Sequence, residues 1–146
     1  THSSDFAVGL VGLLGHGDAI GEAFHVTTDE VLTWNAIYET IARAAGVEAR
    51  LVHVPSALIA ALVPDRGASL LGDKAHSSVF DNAKVRRLVP EFRPRVRFAE
   101  GVARSIAWFD EDPARRVVSP VANDNIERVL AAWGRAWEGL PEGPPR

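Results

Sequence analysis

The chain has 146 residues, enough for one domain with a sizeable core, and its 47% hydrophobic and 24% charged residues argue against a disordered or fibrous protein. A formal charge of −3 gives no global attraction to nucleic acid or to an anionic membrane. Cysteine is absent, which excludes disulfides and thiolate metal sites and fits a cytoplasmic setting.

The N-terminal residues Thr1-His2-Ser3-Ser4-Asp5 lack the basic and apolar regions of a signal peptide. No apolar run approaches the roughly 18 residues that span a bilayer. Methionine is missing even at position 1, and processing or truncation is the expected reason.

Ser3 and Ser4 are candidate caps of a first helix, in which Phe6, Leu10, Leu13 and Leu14 recur at helical spacing up to Gly15 and Gly17. Glu22-Ala23-Phe24-His25-Val26-Thr27 alternates and reads as a strand. Thr33 caps the next helix, whose apolar stripe is Trp34, Ile37, Ile41 and Ala44 or Ala45, closed by Gly46. Arg50-Leu51-Val52-His53-Val54 reads as a second strand, stopped by Pro55.

A short helix is expected from Ser56 to Val63 and an irregular segment from Asp65 to Asn82. Another short helix should run from Asn82 to Leu88, ended by Pro90 and Pro94. Phe98, Val102, Ile106 and Phe109 mark a longer helix. Ser119-Pro120 opens a last one, striped by Ile126, Leu130, Trp133 and Trp137. Pro141 to Arg146 is proline- and glycine-rich, a composition expected to fray.

Gly9-x-x-Gly12-x-x-Gly15 has the letter spacing of a dinucleotide-binding turn. Such a turn must follow a buried strand and open a helix, so that helix N-terminal amides meet the pyrophosphate. These glycines instead lie inside a helical pattern, so close packing against a neighbouring element is expected. The histidines 2, 16, 25, 53 and 76 have no paired ligand spacing, and His25 and His53 read as core or edge residues. Tyr38, the only tyrosine, is followed four residues later by Ala42, so no Tyr-x-x-x-Lys pair exists. No serine sits in a Gly-x-Ser-x-Gly elbow.

Lys84, Arg86, Arg87, Arg93, Arg95 and Arg97 fall in a stretch with a single acid, Glu91. A phosphate or diphosphate would find charge-assisted donors there; a solvated basic surface is the other reading. Asp73-Lys74-Ala75-His76 lies in the irregular segment, where Lys74 and His76 could meet an anionic substrate and Asp73 could accept hydroxyl protons. An ordinary surface loop is the alternative.

Several segments in series resemble one family. His2-Ser3-Ser4-Asp5-Phe6-Ala7 is similar to the His-x-x-Asp-(hydrophobic)-Ala segment of extended short-chain dehydrogenases/reductases of the NAD-dependent epimerase/dehydratase kind. Gly21 to Thr27 resembles their Gly-Glu-x-(aromatic) strand, and Thr33 to Gly46 resembles the helix that follows it. Phe80-Asp81-Asn82-Ala83-Lys84 through Leu88, and Phe98-Ala99-Glu100-Gly101-Val102 through Trp108-Phe109, are similar to the two closing segments. The match spans about residues 1–112, and residues 113–146 fit no family pattern.

The resemblance implies an α/β fold: a predominantly helical C-terminal lobe with two or three short strands, occupying residues 1–140 of this chain beside a frayed 141–146 tail. It would be the substrate-binding part of a Rossmann-type enzyme, with NAD or NADP, the glycine-rich turn and the Tyr-x-x-x-Lys pair all in a separate N-terminal half. The intact protein would be an NAD(P)-dependent epimerase, dehydratase or reductase, and this chain alone would be inactive and bind no cofactor. Expected partners are that Rossmann half, a nucleotide-sugar or other small polar substrate, and a second copy in a homodimer.

Implied substrate contacts are Arg66, Asp73, Lys74 and His76, with Phe80 and Arg87 as additional candidates. No catalytic, cofactor-binding or metal-ligating residue is assigned. Nucleotide-diphosphate binders of the family commonly place an arginine a few residues before the aspartate; here Arg66 lies seven residues before Asp73. The alternative is a non-catalytic module of the same descent, self-associating or RNA-binding as some plastid relatives are. The negative net charge and the lack of aromatics between the arginines disfavour nucleic acid.

Overall fold

The computed structural model describes residues 1–138; the expected 141–146 tail lies outside them. Their internal contacts divide the chain into two compact units, one of residues 1–49 and 79–113, the other of 50–78 and the segment from 114 onward. Each is built from helices. The helices are α1 (Ser3–Leu13), α2 (Trp34–Ala44), α3 (Ser56–Leu62), α4 (Pro64–Ser69), α5 (Ala83–Leu88), α6 (Phe98–Asp110) and α7 (Pro120–Arg135). None of them is long and apolar enough to cross a membrane.

The expected α/β lobe with short strands is not what the chain forms: no strand occurs among the described residues. A strand needs a ladder partner for its backbone groups. Glu22–Thr27 has no regular structure, and side chains meet several of its polar groups instead. Thr27 N–H donates to Asn82 Oδ1 at 3.1 Å, Thr27 C=O accepts from Asn82 Nδ2 at 2.8 Å, and Ala23 C=O accepts from Lys84 Nζ at 2.9 Å. Arg50–Val54 is equally without regular structure, and it belongs to the other unit. The alternation in both segments therefore produced no ladder.

The first unit is organised around α1 and α5. Val85, Val89 and Phe92 are buried almost completely, and Leu13, Phe24, Val26 and Leu88 pack around them. The helix α1 approaches this cluster through its glycines. A Cβ on Gly9 would stand 2.6 Å from Val26 Cγ1, and one on Gly12 would stand 2.4 Å from Val89 Cγ1. Glycine is required at both positions because the neighbours already fill the space of a methyl group. The close packing expected of these residues is therefore present, while Gly15 serves the helix end with φ +75°.

Polar anchors tie the loops of this unit to its helices. Asp5 is buried and its Oδ2 accepts from Arg95 N–H at 3.0 Å and Val96 N–H at 2.9 Å. Glu30 Oε2 accepts from Phe98 N–H at 2.6 Å, capping α6 from outside the helix. The α1 cap is His2, whose Nδ1 accepts from Ser4 N–H, rather than either serine. Asn82 is 2% exposed and also donates to Asp29 Oδ1 at 3.0 Å.

Asn82→Ala would strand the partners on Thr27, at a cost of about 1–3 kcal/mol for a buried polar group left unmet. Urea unfolding should show that loss, and hydrogen exchange at the Thr27 amide should accelerate. Wild-type stability and unchanged exchange would mean the network is ornamental.

In the second unit α3 and α4 form a tight pair, with Gly67 packed so closely on Ala60 that an added Cβ would lie 3.0 Å from its Cβ. The helix α7 packs on α3, and Arg128 donates to the Leu62 carbonyl at the end of α3. Trp133 and Trp137, four apart on the α7 side, meet edge to face with centroids 5.6 Å apart.

Candidate functional site

The sequence-derived candidates fall into two groups. Arg66, Asp73, Lys74 and His76 belong to the second unit, Phe80 and Arg87 to the first. Arg66 lies on α4, which continues into a π-helical turn, Leu70–Lys74, holding Asp73 and Lys74. The segment expected to be irregular is thus largely helical up to Lys74. Ala75 N–H donates to Leu70 C=O at 2.8 Å and His76 N–H to Asp73 C=O at 3.1 Å, which closes the turn.

Asp73 and Lys74 pair with each other, and every residue from 71 to 80 is exposed. An adjacent ion pair in water contributes little to stability. What it offers a ligand is a carboxylate and an ammonium side by side, with the His76 backbone joined to the same turn.

Phe80 stacks on His25 in a tilted arrangement with centroids 4.8 Å apart. Arg87 lines a cavity of about 200 Å³ together with Asp18, Glu22, Phe24, Lys84 and Leu88. Lys84 reaches across its wall to Glu22 at 2.5 Å and lies 4.8 Å from the centre of the Phe24 ring. The Lys84 hydrogen bond and charge hold the Glu22 carboxyl below its usual pKa. Arg87 makes no ion pair or side-chain hydrogen bond among the described residues, so its guanidinium is available to an anion.

The volume lies under the roughly 300–1,000 Å³ of most small-molecule sites. It is an open groove, with Phe24 and Leu88 as its apolar wall and Asp18, Glu22, Lys84 and Arg87 as its charged lining. Asp18, Glu22 and Phe24 were not singled out from the sequence. Their only signal was Lys84 in the basic stretch, which needed an acid to meet.

Elsewhere in this unit, Asp29 pairs with Arg86 and accepts from Asn82. The Asn82 hydrogen bond, then the Arg86 hydrogen bond and charge, and the charge of Arg93, keep the Asp29 carboxyl below its ordinary pKa. Both depressed carboxylates favour the folded state above the unfolded carboxyl value of about 4, and that contribution disappears as pH falls through the lowered values. Thermal unfolding at pH about 3 should therefore come earlier than at pH about 5, and Asp29→Asn should narrow the gap. An identical gap in the variant would remove Asp29 from the acid response.

The glycines of α1 are close-packed rather than open to a ligand. Val26, Phe92 and Val89 close the space around Gly9 and Gly12, where pyrophosphate would have to approach the backbone. Among the described residues no group of three or more His, Asp or Glu side chains is placed to hold a metal ion. Comparison with known proteins finds no match: no family model, no curated protein and no solved structure.

Proposed function

We propose that this chain is the substrate-binding lobe of an NAD(P)-dependent epimerase, dehydratase or reductase, working with a separate dinucleotide-binding half. The observation that carries the reading is α1. Its inward side holds Asp5, Gly9 and Gly12, yet from Phe6 onward its other positions are apolar as well. Phe6, Val8, Leu10, Val11 and the cap residue Leu14 are 43%, 43%, 43%, 65% and 69% exposed. A helix apolar on every side belongs inside a protein, so a second body is needed to cover it. The serial resemblance of residues 1–112 to the extended short-chain dehydrogenases supports a dinucleotide-binding half as that body.

In this reading cofactor chemistry belongs to the other half. The lobe's own residues grip one part of a small polar substrate, such as a nucleotide-sugar, and exclude water from it. Arg87 takes an anionic group.

The isolated chain is expected to give no saturable fluorescence change on titration with NAD(H). Micromolar affinity would place the cofactor turn at Gly9–Gly15 and overturn the reading.

A further inference from the structure

Thr33 and Ser119 cap α2 and α7 with hydroxyl oxygens, which accept from Ala36 and Ala122 N–H and have no charge to change. The cap of α1 is an imidazole. His2 Nδ1 accepts from Ser4 N–H at 3.2 Å and lies 2.8 Å from Ser4 Oγ. Accepting at Nδ1 requires the neutral ring with its proton on Nε2. The same ring is half-buried and rests on α6, where a Cβ on Gly101 would stand 3.2 Å from His2 Cδ2.

The turn that His2 closes also anchors a second segment, because buried Asp5 binds the amides of Arg95 and Val96. The carboxylates on the elements that meet here already have partners. Asp5 holds those two amides, and Glu100 of α6 pairs with Arg104. Thr1 Oγ1 accepts from Thr28 N–H, and on that loop Asp29 pairs with Arg86 while Glu30 binds the Phe98 amide. None of the four is committed to the imidazole. Arg95, Arg97 and the Thr1 α-amino group bring only further positive charge to these elements.

We infer that His2 is a pH-sensitive clasp on the start of α1. Protonation turns Nδ1 into a donor, so Ser4 N–H loses its acceptor and only the contact with Ser4 Oγ can be remade, with its proton reversed. The new charge also sits at the positive end of the α1 dipole, where a cation is unfavourable. Histidine changes charge between about pH 5 and 8, while carboxylates stay ionised over most of that range. The cap is therefore in place at about pH 7.5 and released as pH falls toward about 5.5. Release frees the first turn of α1 and loosens the hold of Asp5 on Arg95 and Val96. The device concerns the attachment of α1 to its own unit, so it stands whether or not a dinucleotide-binding half covers the helix.

The test is hydrogen exchange at the Arg95 and Val96 amides at about pH 7.5 and about pH 5.5, expressed as protection relative to the unfolded chain at the same pH. Protection should fall by about threefold to tenfold on acidification, the equivalent of losing a helix cap. The Ile41 amide inside α2 should not change. His2→Asn, a good cap that does not titrate, should keep protection high at both pH values, and His2→Ala should lower it at both. His16 is the internal control, since its Nδ1 accepts from Asp18 N–H at 3.3 Å in the same way; His16→Asn should leave the fall intact. Constant protection in the wild type, a fall that survives in His2→Asn, an equal fall at Ile41, or wild-type protection in His2→Ala would each overturn the proposal. The wild-type comparison needs no substitution, so it decides the matter even if a variant fails to fold.

Discussion

Phe92→Ala is expected to destabilise the first unit by about 3–5 kcal/mol, the cost of emptying a buried phenylalanine site. Phe92 has 0% exposure and is the largest fully buried side chain among the described residues. Its neighbours cannot close the gap, because Val85 and Val89 are themselves 0% and 1% exposed and fixed on and just beyond α5. The ring also touches the face of α1 at Gly9, so the cavity would open where two elements meet.

Against a typical total of about 5–15 kcal/mol, such a loss removes a large share of the folded state. Urea unfolding followed by far-UV circular dichroism measures it. A loss below about 1 kcal/mol would mean that this cluster is not a packed core.

Gly12→Val should cost about 3 kcal/mol or more, at the upper end of overpacking effects. The first added carbon alone would lie 2.4 Å and 2.8 Å from the two methyl carbons of Val89. Val89 is buried and cannot swing into solvent, so α1 must lift from the core. Adding Val89→Ala should return part of the loss, because the two side chains compete for one space.

Gly134 is the internal control. It is also helical, on α7, but nothing lies within 4 Å of a Cβ built there. Gly134→Ala should therefore stabilise by about 0.5–1 kcal/mol. A Gly12 variant as stable as wild type would contradict the close approach of α1 to α5.

The helices were legible because their signals are local. Thr33 caps α2 by accepting from Ala36 N–H at 3.2 Å, Ser119 caps α7 ahead of Pro120, and Gly46 adopts φ +70° just past α2. The helix α4 was hidden by the polar, glycine-containing stretch around it, although Pro64 at its first position and Asp65 in its first turn were the cues to find it.

The strands misled because alternation is local while a ladder is not. Residues 22–27 found Asn82, 55 positions beyond Thr27, instead of a pairing backbone. The same distance effect governs the site. Lys84 was visible as one of a run of cations, but not that it meets Glu22, 62 residues earlier, beside a cavity containing Arg87. Asp73 and Lys74 were legible as neighbours; that they neutralise each other on an exposed turn was not. The six clustered cations read as one patch in the sequence, whereas folding commits Lys84 and Arg86 to carboxylates and leaves Arg87, Arg93, Arg95 and Arg97 exposed.

The substrate-lobe account is tested most directly by reading the coding sequence upstream of Thr1. It predicts a βαβ unit with a glycine-rich turn and a Tyr-x-x-x-Lys pair, which would cover the exposed apolar residues of α1. An initiator codon immediately before Thr1, with no such unit encoded nearby, would contradict it.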